Sequence, residues 1–561
     1  MILPRKIATL PHAAAVVSAV LLWLAFPPSR AGVFLVWFAL VPLLLVVRQA
    51  APRQAFWIGW LSGLIFWLLS LAWLWRLIEN NGPWPLVVFG HVALAAYCAL
   101  YTALFASSVA QIWRWVRARG TPGLRLLAVV SLEPLLWVGA EYLRSTLFTG
   151  FPWHALGVAL VDAPTMIQTA ALGGVYAVSF CVLLANGAMA SLTEYLPTVL
   201  RGRGGYNCWR MLCAEFLLPL ALLAFALGWG AHRVLAWQAQ AAFAPIWRVA
   251  LVQPNAPCIF ERDDDSEETV RQTLLRLTAE AAKSAPDLTV WPETALMRSL
   301  PYDSFAAALV RDGVRAAGGP LLTGVVEYEP GSLPRYADRR FYNAAWLFDA
   351  RGTVRGLYHK QHLVPFGEYI PGSRWIPVLE KLCPVGFSCT AGKESAILRI
   401  SRRSAHQGTL PAEELAISPL ICFEDTVAPL ARRAVRRGAR LLVNLTNDAW
   451  FNGSPEPEQH MAQAIFRCVE NGVPLVRAAN TGVSCTIDPV GRRQVLTCDG
   501  RTSAFDGVFS AIVAVPQQPL PTLYARCGDL LLAMPAAILL ALVLLDAIMR
   551  SRHADEARRL S

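Results

Sequence analysis

Two architectures follow one another in this sequence: a bundle of eight membrane-spanning α-helices and, inserted before the last of them, a layered α/β domain. Three observations predict them. The composition is 55% hydrophobic and 16% charged, with 20 tryptophans in 561 residues, and the mean hydropathy is +0.42, too apolar for an ordinary soluble chain. Apolar stretches of spanning length recur through about the first 230 residues and once more near the C-terminus. Between about 245 and 520 short β-branched runs alternate with helix-like stretches, the pattern of a layered α/β fold.

The expected spans lie at about 13–28, 31–47, 56–75, 85–110, 126–143, 165–192, 211–229 and 529–548. Any one of them also fits a buried core helix, the short second one best. Seven in succession leave almost no polar chain to cover a soluble core. Arg5 and Lys6 imitate the start of a signal peptide, but the stretch ends in Pro27, Pro28, Ser29 and Arg30 rather than a small-residue cleavage site. It is read as a retained helix.

Basic residues set the orientation. Arg5 and Lys6, Arg48 and Arg53, Arg114 to Arg125, Arg201 to Arg210, and Arg550 to Arg559 fall at alternate span ends, whereas the intervening loops carry only Arg30, Arg76 and Arg144. Both termini are therefore expected in the cytoplasm, with the large segment between spans seven and eight facing outward. The domains expected are 1–235 (seven helices), 245–520 (the outward α/β domain) and 525–561 (the eighth helix and a charged tail). The net charge of +11 is then a topology signal, and a nucleic-acid partner is not expected. The 12 cysteines show no metal-type spacing, so no metal and no cofactor is expected.

In the outward domain, "RVALVQPN", "DLTVWPETA", "LLTGVVEYE", "NAAWLFDA", "LLVNLTNDAW" and "PLVRAANTG" read as strands, and 266–284, 302–317, 427–438 and 456–471 as helices. Polar residues at the ends of apolar strands are the catalytic candidates, because a strand end is rigid and opens onto a pocket. Glu293, directly after Trp291 and Pro292, would have its pKa raised by burial and serve as a base; a turn carboxylate fits equally well. Lys360 in "YHKQHLVPFGEYIPG" can offer a fixed positive charge to an oxyanion, with Glu368 in the same loop to orient it. Cys422 in "SPLICFEDT" is either a small core residue or a nucleophile whose thiolate a nearby base and cation would favour. Cysteines of this domain form an odd set: Cys258, Cys383, Cys389, Cys422, Cys468, Cys485 and Cys498. At least one is left unpaired, and Cys383 with Cys389 could bridge locally or remain two small apolar residues.

The ordered set Glu293, Lys360, Cys422, carried by "VWPET", "HKQHLVPFGEYIP" and "ICFEDT", resembles the nitrilase (carbon-nitrogen hydrolase) superfamily with its Glu-Lys-Cys triad. "EYLRSTLFTGFPWHALG" at 141–157, "KQHLVPFGEYIP" and "NLTNDAWF" narrow the resemblance to its apolipoprotein N-acyltransferase family, over essentially the whole chain. The resemblance implies a nitrilase-like αββα sandwich for the outward domain. It also implies Glu293 as general base, Lys360 as oxyanion stabiliser, Cys422 as nucleophile and Glu368 as a supporting glutamate. Phe423 and Glu424 beside the cysteine, and Asn447 and Trp450 in the "NDAWF" motif, are the candidates for substrate contact. Phe423 departs from the tyrosine common at that position, which leaves no hydroxyl there, and the 383–389 segment falls where the family varies.

The activity so implied is transfer of an acyl chain from a membrane phospholipid, through a Cys422 thioester, to the N-terminal amine of a diacylated apolipoprotein. That is the last step of lipoprotein maturation in a bacterial inner membrane, with the catalytic domain in the periplasm and the enzyme a monomer. Both substrates hold acyl chains in the bilayer, so "YIPGSRWIPVL" at 369–379 could dip into the interface with Trp375 at headgroup level, or pack on its own domain. "TGFPWHALG" fits a lid, a floor to a lipid cleft or plain helix-end packing. The alternative enzyme is a membrane-tethered amidase or nitrilase, in which water takes the place of the amine. A transporter or binding protein would instead place polar residues face to face within the spans, where the sequence offers few: Glu133, Glu141 and Glu215 lie in or beside spans and His91 near the start of the fourth.

Overall fold

The computed structural model describes residues 11–202, 205–258, 264–296, 299–300, 302–329, 340–373, 375, 388–402 and 413–560. Their contacts divide them into a helical unit, from the described parts of Met1–Trp75, Pro85–Leu235 and Arg526–Ser561, and an α/β unit of Arg76–Trp84 with Ala236–Ala525.

Among the described residues five helices are long and apolar enough to cross a membrane: Trp84–Arg119, Pro122–Thr149, Val175–Leu200, Gly205–Ala241 and Leu523–Arg550. Pro52–Ser70 and Ala72–Glu79 meet the same test together across a 49° bend, which would make a sixth. The first expected span is the helix Pro11–Ala25, about 22 Å long at 1.5 Å per residue against a hydrocarbon core of about 30 Å. The second breaks into Gly32–Leu35 and Val41–Val47. Asn186 fills the break: its side chain accepts from Leu40 N at 2.8 Å and donates to Val36 O at 2.9 Å, which satisfies backbone groups that lipid could not. The stretch expected from 165 is broken at Gly174, φ +71°, which separates a short helix, Ala170–Gly173, from the long one, Val175–Leu200.

Arg48 and Arg125, expected in basic loops, are paired within this unit. Arg48 meets Glu133 at 2.7 Å, and Arg125 meets Glu194 at 2.6 Å and Glu215 at 2.7 Å. His91 and Glu141 also have partners, Trp75 Nε1 at 2.8 Å and Trp137 Nε1 at 2.7 Å.

The α/β unit holds twelve described strands: β1 (Ile246–Gln253), β2 (Leu288–Val290), β3 (Leu321–Glu329), β4 (Arg340–Phe348), β5 (Val354–His359), β6 (Leu398–Ser401), β7 (Glu414–Ile421), β8 (Leu441–Thr446), β9 (Leu475–Ala479), β10 (Cys485–Ile487), β11 (Arg493–Val495) and β12 (Gly507–Ala514). They form two six-stranded sheets, ordered β12-β1-β2-β3-β4-β5 and β11-β10-β9-β8-β7-β6. Trp247, Leu251, Val290 and Leu347 of the first sheet share one buried cluster with Ile417, Val443 and Val476 of the second. Helices Asp264–Ala282 and Ser304–Ala317 pack on the first sheet, Ala428–Arg436 and Glu456–Asn471 on the second. The layering is αββα.

Each sheet is parallel at its centre, through β1, β2 and β3 in one and β7, β8 and β9 in the other. Strands buried on both faces read as unbroken apolar runs, which is why their sequences lack a period of two. Parallel strands also end on a common edge, the usual place for ligand chemistry in open α/β sheets. β5 runs antiparallel to β4, itself antiparallel to β3, so β5 ends on that edge too.

Of the segment 369–379, residues 369–373 and 375 are described, and Trp375 is 84% exposed. The remainder, and Cys383 of the bridge considered above, lie outside the described residues.

Candidate active site

Three strand ends bring the three predicted residues together. β2 leads through buried Trp291 and Pro292 to Glu293, which is 6% exposed. β3 passes so closely that a Cβ on Gly324 would lie 2.5 Å from Pro292 O and 2.6 Å from Glu293 Cα; only glycine allows that approach. β5 delivers Lys360, which is 1% exposed, and β7 delivers Cys422.

Lys360 Nζ donates to Glu368 Oε1 at 2.9 Å and lies 3.4 Å from Glu293 Oε1. Asn343 of β4 binds the same two oxygens through Nδ2, each at 2.7 Å, and Glu368 Oε2 accepts from Val364 N at 2.9 Å. The Cys422 thiol faces the Glu293 carboxylate closely enough for each to shift the other's protonation. Burial pushes the Glu293 carboxyl above the ordinary carboxylate range, against the pull of Lys360 and helped by repulsion from Glu368. Burial likewise pushes the Cys422 thiol well up, and the Glu293 charge adds to it. Lys360 loses to burial, but Glu368 and Glu293 more than restore it and hold it protonated. The resting site is therefore a neutral thiol beside a base and a permanent cation, so the proton must be removed for the sulfur to attack.

Cys422 starts a 3-10 turn, Cys422–Thr426, with φ +51°, a left-handed backbone that costs a non-glycine residue on the order of 1–2 kcal/mol. The turn is clamped on two sides. Asn444 Nδ2 donates to Cys422 O at 3.1 Å. Fully buried Glu424 accepts from Ile421 N at 2.8 Å, Gln361 N at 2.7 Å, His362 N at 3.1 Å and Tyr358 OH at 2.9 Å. With both oxygens so occupied, Glu424 ties the cysteine turn to the lysine loop; burial raises its carboxyl to about 7 against those donors. Phe423 is half-buried and stacks on His362 with centroids 5.9 Å apart. Asn447 reaches Thr294, next to Glu293, at 3.2 Å and accepts from Asn480 at 3.0 Å. Trp450 is half-buried, and its carbonyl accepts from Asn80 at 2.8 Å.

Several residues went unremarked in the sequence. Asn343, Asn444 and Arg477 each sit inside a run read as a buried strand, and a polar residue there must be paired; that was the available signal. Asp448 and His460 had none beyond their place near a strand end and on a helix.

Donor atoms of Cys422, Asp448 and His460 lie within 4.8 Å of one another, which raises the question of a metal. The charges answer it. Arg477 Nη2 lies 3.2 Å from Asp448 Oδ2, and the His460 nitrogens face Asp448 at 3.1 Å and Asp425 at 3.0 Å. Burial lowers His460, and Arg477, whose Nη2 lies 2.9 Å from its Nδ1, opposes a charge there, but Asp425 and Asp448 outweigh both and raise it to about 10. The guanidinium already fills the place that a metal cation would take between Asp448 and His460.

A family model described as the apolipoprotein N-acyltransferase N-terminal domain matches residues 18–188, and the carbon-nitrogen hydrolase model matches residues 248–504. Apolipoprotein N-acyltransferase of Geobacter metallireducens is 34% identical over 484 residues, 86% of this chain and 86% of that one. Its counterpart from Rhodopseudomonas palustris is 32% identical over 516 residues, 90% of this chain and 87% of the other. Among solved structures, a cysteine-to-alanine mutant of the Nesterenkonia AN1 amidase, from the nitrilase superfamily, is 18% identical with a TM-score of 0.33, covering 48% of this chain and 93% of its own. On the extent and identity of the full-length relatives, the chain belongs to the apolipoprotein N-acyltransferase family, within the carbon-nitrogen hydrolase superfamily.

Proposed function

We propose that this protein moves an acyl chain from a membrane phospholipid to the N-terminal amine of the S-diacylglyceryl cysteine of apolipoproteins, by way of a thioester on Cys422. Glu293 takes the thiol proton as the sulfur attacks the ester carbonyl, and Lys360 with backbone N–H groups stabilises the oxyanion. The C–O bond breaks, the leaving lysophospholipid oxygen receives the proton from Glu293, and the thioester remains. In the second step the amine attacks the thioester carbon and gives a proton to Glu293. The C–S bond breaks, and Glu293 returns that proton to the sulfur. An amide is less reactive than a thioester, so the second step draws the first forward.

One observation carries the reading: base, ammonium and thiol from three separate strand ends meet in one buried site, Lys360 hydrogen-bonded to Glu293 and Glu368 and the thiol coupled electrostatically to Glu293 and Lys360, in a chain of this family. Because all three come from one chain, a monomer suffices. The wider arrangement belongs to the same proposal: eight spans, both termini in the cytoplasm and the α/β unit in the periplasm of a bacterial inner membrane. It is supported by the alternation of basic residues and by the apolar helices. Asn447, Trp450 and Phe423 are proposed to face substrate, and Glu424 to hold the turn.

Intact mass of the purified protein after incubation with phospholipid tests it. The expected result is a mass increase of one acyl chain, absent in Cys422→Ala, and discharge by a diacylated lipopeptide as N-acylated product. An adduct that persists in Cys422→Ala, or that only water discharges, sinks it; the second outcome would make the protein a membrane-tethered hydrolase.

A further inference from the structure

Beside Cys422, with Asp448 and His460 donor atoms within 4.8 Å of its sulfur, lies a second buried charged cluster that the acyl-transfer chemistry does not use. Arg477, in the middle of β9, is 0% exposed, and so is Asp425; Asp448 and His460 are each 2% exposed. Arg477 Nη1 pairs with Asp425 and donates to Asn444 Oδ1 at 2.9 Å, while Nη2 meets Asp448 at 3.2 Å. His460, from helix Glu456–Asn471, closes the ring between Asp448 and Asp425. Arg477 and His460, with Asp425, Asp448 and Glu456, whose Oε1 lies 3.6 Å from His460 Nδ1, thus lock together the cysteine turn, β8, β9 and the helix above them.

Two links run from this ring to the nucleophile. Asn444, held by Arg477 through its oxygen, spends its amide protons on Cys422 O at 3.1 Å and on Leu420 O at 3.4 Å. Thr446, whose hydroxyl donates to Asp448 Oδ1 at 3.0 Å, also contacts the Cys422 side chain. A cysteine at φ +51° persists only where its surroundings over-determine it. Here the ring supplies that constraint on one side, as Glu424 does on another.

We propose that Arg477 is a positioning residue for the Cys422 nucleophile: through Asp425 and Asn444 its guanidinium fork holds the cysteine turn in the one conformation that aims the sulfur at Glu293. Geometry, not charge alone, is the requirement, since Arg477 Nη1 serves Asp425 and Asn444 together while Nη2 holds Asp448, and a lysine cannot reproduce the planar fork. The inference rests on Cys422 being the nucleophile.

The test compares Arg477→Lys and Asn444→Ala with the unaltered full-length protein in lipid nanodiscs. Three quantities are read: the thermal midpoint, the kinetics of thioester formation from phospholipid, and the rate of Cys422 alkylation by iodoacetamide, followed by peptide mass. Both variants should unfold cooperatively and keep KM for phospholipid within about twofold. The acylation rate should fall about 10- to 100-fold, the scale of a misplaced reacting atom, and alkylation should slow in parallel. If the ring is only structural, the midpoint drops while acylation and alkylation per folded molecule stay unchanged, and the inference is overturned. It is equally overturned if Arg477→Lys behaves as the unaltered protein, or if neither variant folds. Alkylation needs no acyl donor. An unaltered protein that alkylates at Cys422 but never gains an acyl chain defeats the acyl-transfer reading, while the alkylation rates still judge Arg477.

Discussion

Two buried charged clusters adjoin Cys422, and they are built differently. In front, Glu293 and Glu368 share one ammonium, Lys360, and one amide, Asn343. Behind, Asp425, Asp448 and Glu456 share a guanidinium and an imidazole, Arg477 and His460. In front, burial and the second carboxylate leave Glu293 raised, ready to hold a proton. Behind, burial also works against the Asp448 charge, but Arg477 and His460 overcome it and hold the carboxyl down at about 2. Each cluster holds one carboxylate more than its cations: in front the raised one, Glu293, faces the thiol, whereas behind the raised one, Glu456, faces His460. Buried ionisable groups are thus not equivalent as signs of chemistry: the set whose raised carboxyl meets the thiol is the one placed to trade its proton.

Breaking the front cluster should cost most. Glu293→Gln keeps the shape and removes the base, and thioester formation is expected to fall about 10³- to 10⁴-fold, at the upper end for a general base. Lys360→Met removes the oxyanion's cation and should cost about 10²- to 10³-fold. Single-turnover intact mass reads both; a loss below tenfold in either would remove that residue from the chemistry.

Removing His460 from the rear cluster should be read in stability, beside the rate effects expected at Arg477 and Asn444. His460 is raised in the folded state to about 10 from an ordinary value of about 6.5. Its contribution is therefore full below about pH 6.5 and lost as pH rises through 10. His460→Gln should cost about 3 kcal/mol at pH 6, the lower end for one partner of a buried ion pair, and much less at pH 10. Thermal unfolding at both pH values measures it, and a loss that is equal at the two would contradict the charged imidazole.

A smaller effect distinguishes the clusters by titration. Glu368 raises the Glu293 carboxyl, so Glu368→Gln should lower it and move the acid limb of the acylation rate to lower pH. His460→Gln, acting behind, should leave that limb in place. A limb that moves upward in Glu368→Gln would reverse the sign of the coupling.

Legibility in the sequence divides along similar lines. The four helices of the α/β unit fall within about two residues of their expected bounds, because an amphipathic period of 3.6 is a local property. The central strands were visible as apolar runs. β5, with one buried residue among six, and the partly exposed β12 were not, since strands of mixed exposure lack both a run and a clean alternation. Glu293 and Cys422 stood out because each follows an apolar run into a turn, and Lys360 because it lies between His359 and Gln361 in a loop punctuated by proline and glycine. Asn343, Asn444 and Arg477 were hidden inside such runs, where their partners come from other strands and only the fold brings them close. In the helical unit, Arg48 and Arg125 could be counted as loop charges from sequence, but their pairing with Glu133, Glu194 and Glu215 depends on residues up to about ninety positions away.

The least disruptive change lies between the two clusters. Phe423 follows the nucleophile, half-buried and stacked on His362 at 5.9 Å and 24°, where relatives in the resemblance above commonly carry tyrosine. Phe423→Tyr keeps the ring and its stack and adds one hydroxyl at the edge, so acylation should change by less than about threefold, within the range of a tolerated near-isosteric swap. Phe423→Ala removes the ring that packs the lysine loop against the cysteine turn and should cost about tenfold, on the scale of a misplaced reacting group. The pair of rates separates two roles for the position. If tyrosine accelerates the reaction more than tenfold while alanine is neutral, the hydroxyl matters and the stack does not. The wall of the pocket would then have a polar duty that neither cluster supplies.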